Sequence, residues 1–537
     1  MAKTTKRASS AAKGAGKATS AKSKDREYIL RLAKENNVKF IRMWFSDILG
    51  NLKNFAITYD ELATTLYEGQ GFDGSSIQGF ARIDESDMVA MPDTSTFQLL
   101  PWRTGPQGRV GRMFCNILNP DGAPYEGDPR YILTRNLKEA ADLGYTFYIG
   151  PELEFFLFKN SGGTEILDHG GYFDMTSLDA ASNFRRDAVL TLQAMGIDVE
   201  YSHHEVGPSQ HEIDLRYTDA LTMADNCMTY RLVVKETAMA HDMYATFMPK
   251  PLFGENGSGM HTHQSLFKGT KNAFFDPKDK NSLSDVAKRY IAGLLRHIPE
   301  INVVLNQWVN SYKRLVPGYE APVYLTWAIR NRSDLVRVPV YKPGHEQATR
   351  VELRSPDPAC NPYLAFSAML AAGLAGIKGK YKLAAPVERN VYEMDVEERE
   401  KLGIRELPSD LNEAIKAAED SELLRKCLGD HVFTKLLDNK RMEWHEYRAH
   451  VSQFELERYL PILVADMFRP GPARDRARVR EGGGGGGSVV LNRWPVLLSL
   501  SFVIPQACPQ DPNNVIKGSS AEGHAELGCF SPRAPDP

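Results

Sequence analysis

The chain has 537 residues, of which 42% are hydrophobic and 25% charged, and its formal net charge is -3. This length supports two or more domains with a large core, and the composition is ordinary for a globular protein. A net charge so close to zero gives no general attraction to nucleic acid or to an anionic membrane, so neither is expected as a partner.

Cysteine usage and hydropathy indicate the compartment. The six cysteines show no zinc-type spacing and are too sparse for a disulfide framework, so a reducing, cytoplasmic setting is expected. A membrane-spanning helix needs roughly 18 apolar residues. The best candidate, Trp494 to Ile504, is shorter and contains a proline and two serines, so no membrane segment is predicted.

Both ends of the chain differ in composition from the middle. Residues 1–24 contain seven Lys or Arg and no acid, which predicts a disordered basic tail; weak binding to an anionic partner is the alternative. Residues 464–537 include six consecutive glycines at 482–487 and are rich in Pro, Ser and Gly, which predicts a linker and tail without an assigned function.

Residues 25–120 predict a small domain that is mostly sheet. Tyr28 to Glu35 has the apolar spacing of a helix, and Phe40 to Phe45 has the composition of a strand that enters a hairpin turn at Leu49-Gly50-Asn51. Short strands separated by Gly and Pro turns are expected between Phe72 and Phe114.

Residues 121–463 predict a larger α+β domain, because helical and strand-like segments alternate. A curved, largely antiparallel sheet flanked by helices is the expected architecture. The predicted helices are Pro129 to Leu143, Asn183 to Met195, Asp219 to Ala240 and Ser284 to His297.

Two strand-like segments of this domain carry chemistry, Gly150 to Phe158 and Asn256 to Ser265. Side chains two apart on a strand share a face, so Glu152 would point with Glu154, and His261 would point with His263. Adjacent carboxylates repel unless a cation lies between them. A divalent-metal site that handles phosphate is therefore the first hypothesis.

Further charged clusters support the same hypothesis. Glu205 and Glu212 flank a Gly-Pro turn that could return both to one side of the sheet, and Arg350, Glu352 and Arg354 alternate along a strand. Oxygen ligands with at most one imidazole suit Mg²⁺ or Mn²⁺ better than zinc. The sequence lacks a Walker A motif, a kinase glycine-rich loop and a Rossmann fingerprint, so the nucleotide site must be of another kind.

Each cluster taken alone has an ordinary alternative. A Glu-x-Glu strand is commonly a solvated face, a His-x-His pair is as often surface as metal ligand, and clustered arginines usually form surface salt bridges. The charged loop Lys313 to Pro322 and the segment Arg330 to Ser333 contain or adjoin Pro and Gly that could form a mobile flap. The order and spacing of all the clusters together make coincidence improbable.

Five segments closely resemble the signature sequences of bacterial glutamine synthetase type I, in the order in which that family has them. The resemblance extends from about residue 25 to 463 and implies a β-grasp-like N-terminal domain followed by a catalytic domain. The segments are Phe72 to Ser76, Gly150 to Phe156, Asn256 to His263, Asn310 to Pro322 and Arg354 to Pro358.

The resemblance implies a role for each site residue, with two Mg²⁺ or Mn²⁺ ions per site and ATP as co-substrate. One ion would be held by Glu154, Glu205 and Glu212, and the other by Glu152, His261 and Glu352. Glutamate would meet Asn256, Gly257, Arg314 and Arg354. Arg332, Arg337 and Arg350 would surround the transferring phosphate. The nucleotide would lie along Glu200, Tyr217, His263 and Ser265.

The implied reaction is the ATP-dependent ligation of ammonia to L-glutamate through γ-glutamyl phosphate. Ammonium must lose a proton before it can attack, which requires a carboxylate-lined cation pocket. Asp73 and Glu320 match the family residues with this role, with Ser76 and Tyr172 nearby. In the family, Asp73 reaches the site of a neighbouring subunit in a dodecamer of two hexameric rings.

Regulation is also suggested by the resemblance. The segment after Tyr392 and the short interval between Glu205 and Glu212 look like the alpha subdivision, which is inhibited by glutamine rather than adenylylated. Arg82 matches the arginine linked to that feedback. Binding of a nitrogen-regulatory protein stays open as a second role.

Two rival functions remain. A relative on the same fold could join glutamate to a polyamine or another amine, although Asp73 and Glu320 favour ammonia. A catalytically silent scaffold on this fold is the rival from another class, and the presence of all six expected metal ligands argues against it. Family members end near Tyr459, so the residues after Leu463 could loosen ring stacking.

Overall fold

The computed structural model describes residues 25–77, 79, 87–319, 321–329, 331, 333–340 and 343–463. The predicted tails at 1–24 and 464–537 lie outside these residues, as do Arg82, Glu320 and Arg332. Within the described part of the chain, no helix is both long and apolar enough to cross a membrane.

The N-terminal domain is built on a six-stranded sheet. Two helices accompany it, at residues 25–35 (α1) and Leu62–Glu68 (α2). The strand order is β2-β1-β6-β4-β3 with β5 beside β6, and the central pair β1 and β6 is parallel. The strands are β1 Val38–Ser46, β2 Leu52–Thr58, β3 Gln70–Asp73, β4 Asp87–Pro92, β5 Gln98–Leu99 and β6 Arg109–Leu118.

The predicted first hairpin is confirmed between β1 and β2. Asp47 closes its turn, because the Asp47 side chain accepts hydrogen bonds from the backbone N–H groups of Leu49 and Asn51. Gly50 lies between them with φ +80°, a conformation that favours glycine.

The second domain contains a ten-stranded sheet that is antiparallel except at the β14–β15 edge. Its order is β14-β15-β16-β12-β7-β9-β8, with β10 and β11 beside β7 and β13 beside β12. The strands are β7 Thr146–Phe158, β8 Val199–His204, β9 Gln210–Leu215, β10 Thr218–Asp219, β11 Tyr244–Thr246, β12 Met260–Lys268, β13 Lys271–Asn272, β14 Trp327–Ala328, β15 Val336–Arg337 and β16 Val351–Leu353.

The described residues after 120 also form helices. They are α3 Pro129–Asp142, α4 Ser182–Ala194, α5 Ala220–Ala240, α6 Asp285–Leu305, α7 Ser311–Arg314, α8 Pro362–Lys378, α9 Val396–Lys401, α10 Leu411–Glu419, α11 Glu422–Leu428, α12 Asp430–Ala449 and α13 Gln453–Tyr459. Short 3-10 turns occur at Thr94–Thr96, Glu346–Ala348 and Val391–Glu393.

Helix α6 corrects one sequence prediction, because it continues to Leu305 rather than ending at His297. The predicted end preceded Pro299, which now lies inside the helix. Residues Ile301 and Leu305 beyond it are fully buried, so burial of the apolar face outweighs the lost backbone hydrogen bond.

The long strand β7 separates the core from the charged face of the sheet. Leu153, Phe155 and Leu157 are fully buried in the main core, and α5 packs there, with the Tyr230 hydroxyl donating to the Leu153 carbonyl at 2.9 Å. Glu152 and Glu154 alternate with these residues and point to the opposite face. The predicted α+β class is confirmed, with a β-grasp N-terminal domain and a curled sheet flanked by helices.

Candidate active site

Carboxylates gather on one side of the charged face through strand register. The β7–β9 pairing places Glu154 opposite Glu212 and Glu152 opposite Asp214. The turn before β9 brings Glu205 to the same place, because its backbone N–H donates to the Gln210 carbonyl at 2.8 Å. Two strands and one turn therefore concentrate acidic groups that are far apart in the sequence.

Arginines line the other side through the short strands β15 and β16. Register places Arg337 opposite Glu352, and Glu352 opposite His263 on β12. Arg354 donates to Glu352 Oε1 at 2.7 Å, and Arg337 donates to Glu352 Oε2. Glu352 is completely buried between these guanidinium groups.

These two sides face one cavity of about 630 Å³. Many of the residues predicted from the sequence line this cavity, and they come from the sheet and from the loops around it. They are Glu152, Glu154, Tyr172, Glu205, Glu212, Asn256, Gly257, His261, Arg314, Arg337 and Arg354. A cavity with this charged lining is suited to a small polar substrate rather than an apolar one.

The acid-rich side carries uncompensated negative charge. Burial and then the charge of Glu205 raise the pKa of Glu154 well above its usual range. Burial and then the charges of Asp214 and Glu154 do the same to the pKa of Glu212. The pKa of Asp214 is raised to about 7 by burial and by Glu152. Side chains alone therefore do not neutralise this cluster.

The neighbouring carboxylates are held in the opposite way. Burial would raise the pKa of Glu152, but His263 and His261 hold it well below its usual range through charge and hydrogen bonds. Their imidazoles reach its two oxygens, with His263 Nε2 at 2.6 Å and His261 Nδ1 at 3.2 Å. Against the effect of burial, His263 and Arg354 lower the pKa of Glu352 to about 2.

The acid-rich cluster fits a divalent cation. From the described residues, no hydrogen bond of normal geometry reaches Glu212 Oε1, although this atom is buried. Buried carboxylate oxygens without donors are costly unless an ion binds them. Oxygen-rich donors of this kind suit Mg²⁺ or Mn²⁺.

Ligand atoms of three residues approach within 4.8 Å of one another in two separate groups at this face. One group is Glu152, His263 and Glu352, and the other is His203, Glu205 and Glu212. The second histidine of β12 thus joins the first group, where the resemblance implied His261. His203 is a further imidazole beside the acids, with Nε2 3.1 Å from Glu212 Oε2.

The segment implied to bind glutamate crosses the cavity close to Arg314. The Arg314 guanidinium is buried and donates to the carbonyls of Ser355 at 2.7 Å and Arg354 at 3.1 Å. A Cβ on Gly257 would lie 2.4 Å from the Pro249 carbonyl oxygen, and one on Gly259 would lie 2.6 Å from Arg314 Nη2. Glycine is therefore required for this close approach.

Most residues implied to bind nucleotide lie side by side near the β7–β12 pair. His263 is opposite Gly150, and a Cβ on Gly150 would contact Tyr217 at 3.2 Å. Ser265 is in the next pair of that face, and Arg350 donates from Nε to His263 Nδ1 at 3.2 Å. Glu200 is exposed on β8, at a register irregularity.

The two implied residues of the N-terminal domain lie elsewhere. Among the described residues of this chain, Asp73 and Ser76 do not line the active-site cavity. Both are exposed, and Asp73 lines a separate groove between β2 and β3. Tyr172, by contrast, is at the cavity with 44% of its surface exposed.

Several cavity residues were missed by sequence reasoning. They are Tyr201, Val206, Gln210, Tyr319, Ala321, Asn331, Ser333, Asn390 and Tyr392. Tyr319 and Ala321 fall in the predicted flap, and Gln210 lies between the predicted ligands Glu205 and Glu212. Their positions in the sequence could therefore have indicated that they lie at the site. Asn390 and Tyr392 come from a distant loop, which only the tertiary structure brings here.

Two family profiles match adjacent parts of this chain. The glutamine synthetase β-grasp domain matches residues 37–120, and the glutamine synthetase catalytic domain matches residues 126–459.

Curated relatives match at high identity. A glutamine synthetase of Mycolicibacterium smegmatis is 54% identical over 444 residues, which are 82% of this chain and 100% of the relative. One from Methanosarcina mazei is 53% identical over 442 residues, covering 82% of this chain and 98% of the relative.

Solved structures are also similar. A GmaS/ADP complex is 30% identical with a TM-score of 0.74, covering 80% of this chain and 99% of that one. A Plasmodium falciparum glutamine synthetase determined by cryo-EM is 26% identical with a TM-score of 0.73, covering 81% and 98%. The chain therefore belongs to the glutamine synthetase family, and it is a glutamate–ammonia ligase that depends on ATP and divalent metal ions.

Proposed function

We propose that this chain makes glutamine in two steps through γ-glutamyl phosphate. A carboxylate is a poor electrophile, so its oxygen first takes the γ-phosphoryl group of ATP and ADP leaves. Ammonia then attacks the acyl carbon, and the carbon–oxygen bond to phosphate breaks. The observation that carries this proposal is one cavity in which an uncompensated acid cluster faces a wall of arginines.

Two Mg²⁺ or Mn²⁺ ions would be held at the charged face of the sheet, one by Glu154, Glu205 and Glu212 and the other by Glu152, Glu352 and a histidine of β12. His261 is the histidine that the resemblance implies, and His263 is the one grouped with these acids by distance. Divalent ions supply neutralisation of phosphate charge.

The protein's own side chains would orient both substrates. Arg314 and Arg354, with Asn256 and Gly257, would hold glutamate with its γ-carboxylate toward the acid-rich side. Guanidinium groups recognise carboxylate and phosphate oxygens through paired donors. Arg332, Arg337 and Arg350 would stabilise the transferring phosphoryl group in the same way.

Nucleotide would bind along Glu200, Tyr217, His263 and Ser265. Support comes from the adjacent positions of the last three on β12 and beside Gly150. The similar GmaS structure is a complex with ADP, which supports a nucleotide site on this fold.

The ammonium pocket would be shared between subunits. Glu320 in the flap and Tyr172 would come from one subunit, and Asp73 and Ser76 from its neighbour. The exposed position of Asp73, away from the cavity of its own chain, supports this arrangement. An acidic residue there would take the proton that ammonium loses. A homo-oligomer, specifically a dodecamer, is the proposed assembly.

Subunit mixing tests the shared pocket. Oligomers of Asp73→Ala alone or Glu320→Ala alone should be inactive, whereas co-assembled oligomers should regain activity at the pockets that carry neither change. Absence of any recovered phosphate release in verified mixed oligomers would contradict the proposal.

A panel of amines tests the substrate. Phosphate release from ATP with glutamate should require ammonia, and turnover with a polyamine but not ammonia would identify an amine ligase instead. Absence of turnover with every amine would favour the silent scaffold.

The remaining finer proposals rest on the sequence. Glutamine is proposed to inhibit the enzyme through Arg82, as in the alpha subdivision, and a nitrogen-regulatory protein is proposed as a partner. The described cysteines at 115, 227, 360 and 427 are free and buried, which suits the proposed cytoplasmic setting. Residues 1–24 and 464–537 are proposed to be tails outside the domains at 25–120 and 121–463, and a version that ends at Leu463 tests whether the second tail disturbs assembly.

A further inference from the structure

Gln210 connects three segments of the active site through one side-chain amide. The residue begins β9 and is only 1% exposed. Its Nε2 donates to Glu154 Oε2 at 2.7 Å and to the Gly257 carbonyl at 3.3 Å. Its Oε1 accepts a hydrogen bond from the Gly207 backbone N–H at 3.0 Å.

The surroundings fix the orientation of this amide. Gly207 offers a backbone N–H, so the amide oxygen must face it. Glu154 and the Gly257 carbonyl offer acceptors, so the amide nitrogen must face them. A flipped amide would lose all three hydrogen bonds. Its oxygen would then face the Glu154 carboxylate and the Gly257 carbonyl oxygen.

The turn that carries Gln210 is itself tightly held. The Gln210 N–H donates to the Gly207 carbonyl at 3.1 Å, and the Glu205 N–H donates to the Gln210 carbonyl at 2.8 Å. A Cβ on Gly207 would lie 2.7 Å from Gln210 Oε1, so the amide packs directly against this backbone. The Gln210 side chain therefore contacts the turn between Glu205 and Glu212 directly.

Each of the three segments has a different task in the proposed function. Glu154 and the turn would hold a metal ion, and Gly257 would contact glutamate. The amide of Gln210 is hydrogen-bonded both to Glu154, which would hold metal, and to Gly257, which would contact glutamate. Once a cation holds Glu154 as a carboxylate, the hydrogen bond from Gln210 to it is charge-assisted and stronger than a neutral one.

We propose that Gln210 is a positioning residue that couples metal binding to glutamate binding. The inference rests on the proposed function, and it extends that function by assigning cooperativity to one amide. When an ion fixes the Glu154 carboxylate, the amide of Gln210 is fixed with it. The Gly257 carbonyl, and with it the glutamate-binding segment, is then held in one orientation.

The test measures coupling rather than activity. Glutamate binding to the full-length protein is titrated calorimetrically with Mn²⁺ and after chelation, and the ratio of the two affinities is the coupling. Typical coupling between sites is about 5–150-fold. Gln210→Met keeps the length of the side chain but donates and accepts none of these bonds. It should reduce the coupling about tenfold, as expected for the loss of a hydrogen bond to a charged group.

Gln264→Met is the matched control. Gln264 is equally buried, accepts from the Tyr290 hydroxyl at 2.7 Å, and points away from the charged face. This variant should lose stability to a similar extent while its coupling stays near the wild-type value. Equal loss of coupling in both variants, or wild-type coupling in Gln210→Met, overturns the inference.

A second variant covers the case in which Gln210→Met fails to fold. Gln210→Glu retains an oxygen for Gly207 but places a carboxylate against Glu154 and the Gly257 carbonyl, so glutamate binding in Mn²⁺ should weaken. Unchanged glutamate affinity in this variant contradicts the inference. Equal glutamate affinity with and without Mn²⁺ in the wild-type protein overturns the coupling alone, whereas failure of the wild-type protein to bind glutamate in either state overturns the proposed function.

Discussion

Two groups of carboxylates lie on the charged face of the large sheet, and their neighbouring side chains shift their pKa values in opposite directions. Glu152 and Glu352 contact histidine or arginine on adjacent strands, and their pKa values lie below the usual range. Glu154 and Glu212 face other acids, and although His203 lies 3.1 Å from Glu212, the pKa values of both acids lie well above that range. Glu352 is at least as buried as Glu154 and Glu212, so burial does not explain the difference, which comes from the register of the strands.

The difference teaches where an ion is needed. In the metal-free protein, a buried carboxylate beside arginine or histidine is already compensated. A buried carboxylate beside another carboxylate is compensated only by a proton or a cation. We therefore expect the two groups to respond in opposite directions when a charge is removed, and four changes test this contrast.

The largest effect is expected for Glu212→Gln. Loss of an ion-binding charge should lower turnover roughly 100-fold, since metal ions supply several kcal/mol of charge stabilisation. The metal-free protein should nevertheless melt at a higher temperature than wild type, because a repelling buried charge is gone. Scanning calorimetry with and without Mn²⁺ measures the change in melting temperature in each state. A metal-free variant that melts below metal-free wild type would contradict the proposed difference between the two groups of carboxylates.

Glu352→Gln should lower the stability of the metal-free protein, in contrast to Glu212→Gln. Removing this charge leaves the guanidinium groups of Arg337 and Arg354 without their buried partner. Removal of one member of a buried pair costs about 3 kcal/mol or more. Denaturant unfolding of the metal-free protein measures the loss, and stability equal to wild type would mean that Arg337 and Arg354 do not depend on this carboxylate.

The pH dependence of the metal-free protein gives a third test through Asp214. Its pKa of about 7 exceeds the unfolded value near 3.8, so the folded state binds the extra proton between these values. The contribution of Asp214 to stability is therefore most favourable below pH about 4 and is lost as pH rises through about 7.

Asp214→Asn removes that titration. We expect the variant to gain stability relative to wild type as pH increases from 5 to 8, by on the order of 1 kcal/mol or more at the upper end. Parallel unfolding curves at several pH values measure the gain. Saturating Mn²⁺ should reduce it, and a gain that is independent of pH would refute the assignment.

The smallest effect is expected for Glu139→Gln, the control for exposed ion pairs. Glu139 contacts Lys378 and Lys426 at the surface, where both lysines are more than a third exposed. Such pairs contribute about 0–1 kcal/mol. Turnover should stay at the wild-type level, and a loss comparable to that of Glu352→Gln would show that burial does not explain the contrast.

Local sequence predicted much of this fold. The β1–β2 hairpin follows from the largely apolar run Phe40 to Phe45 and the turn at Gly50, and α3, α4 and α5 begin within a few residues of their predicted starts. The end of α6 was mispredicted, because Pro299 is a local signal whereas burial of Ile301 is a property of the packed domain.

The sequence by itself determined the types of residue available to the site. Alternation on β7 already placed Glu152 with Glu154, and alternation on β12 placed His261 with His263, because side-chain direction along a strand depends only on the local backbone. The five signature segments identified the family for the same reason, since they are local patterns.

Only the tertiary structure decided which carboxylates are compensated. Register between strands distant in sequence placed His263 beside Glu152 and Glu352, and placed Glu212 beside Glu154. Strand register also buried Gln210 between Glu154 and Gly257, a contact that no local sequence pattern predicts. Charge compensation depends on neighbours across strands, and pairing of strands is a long-range property of the folded chain.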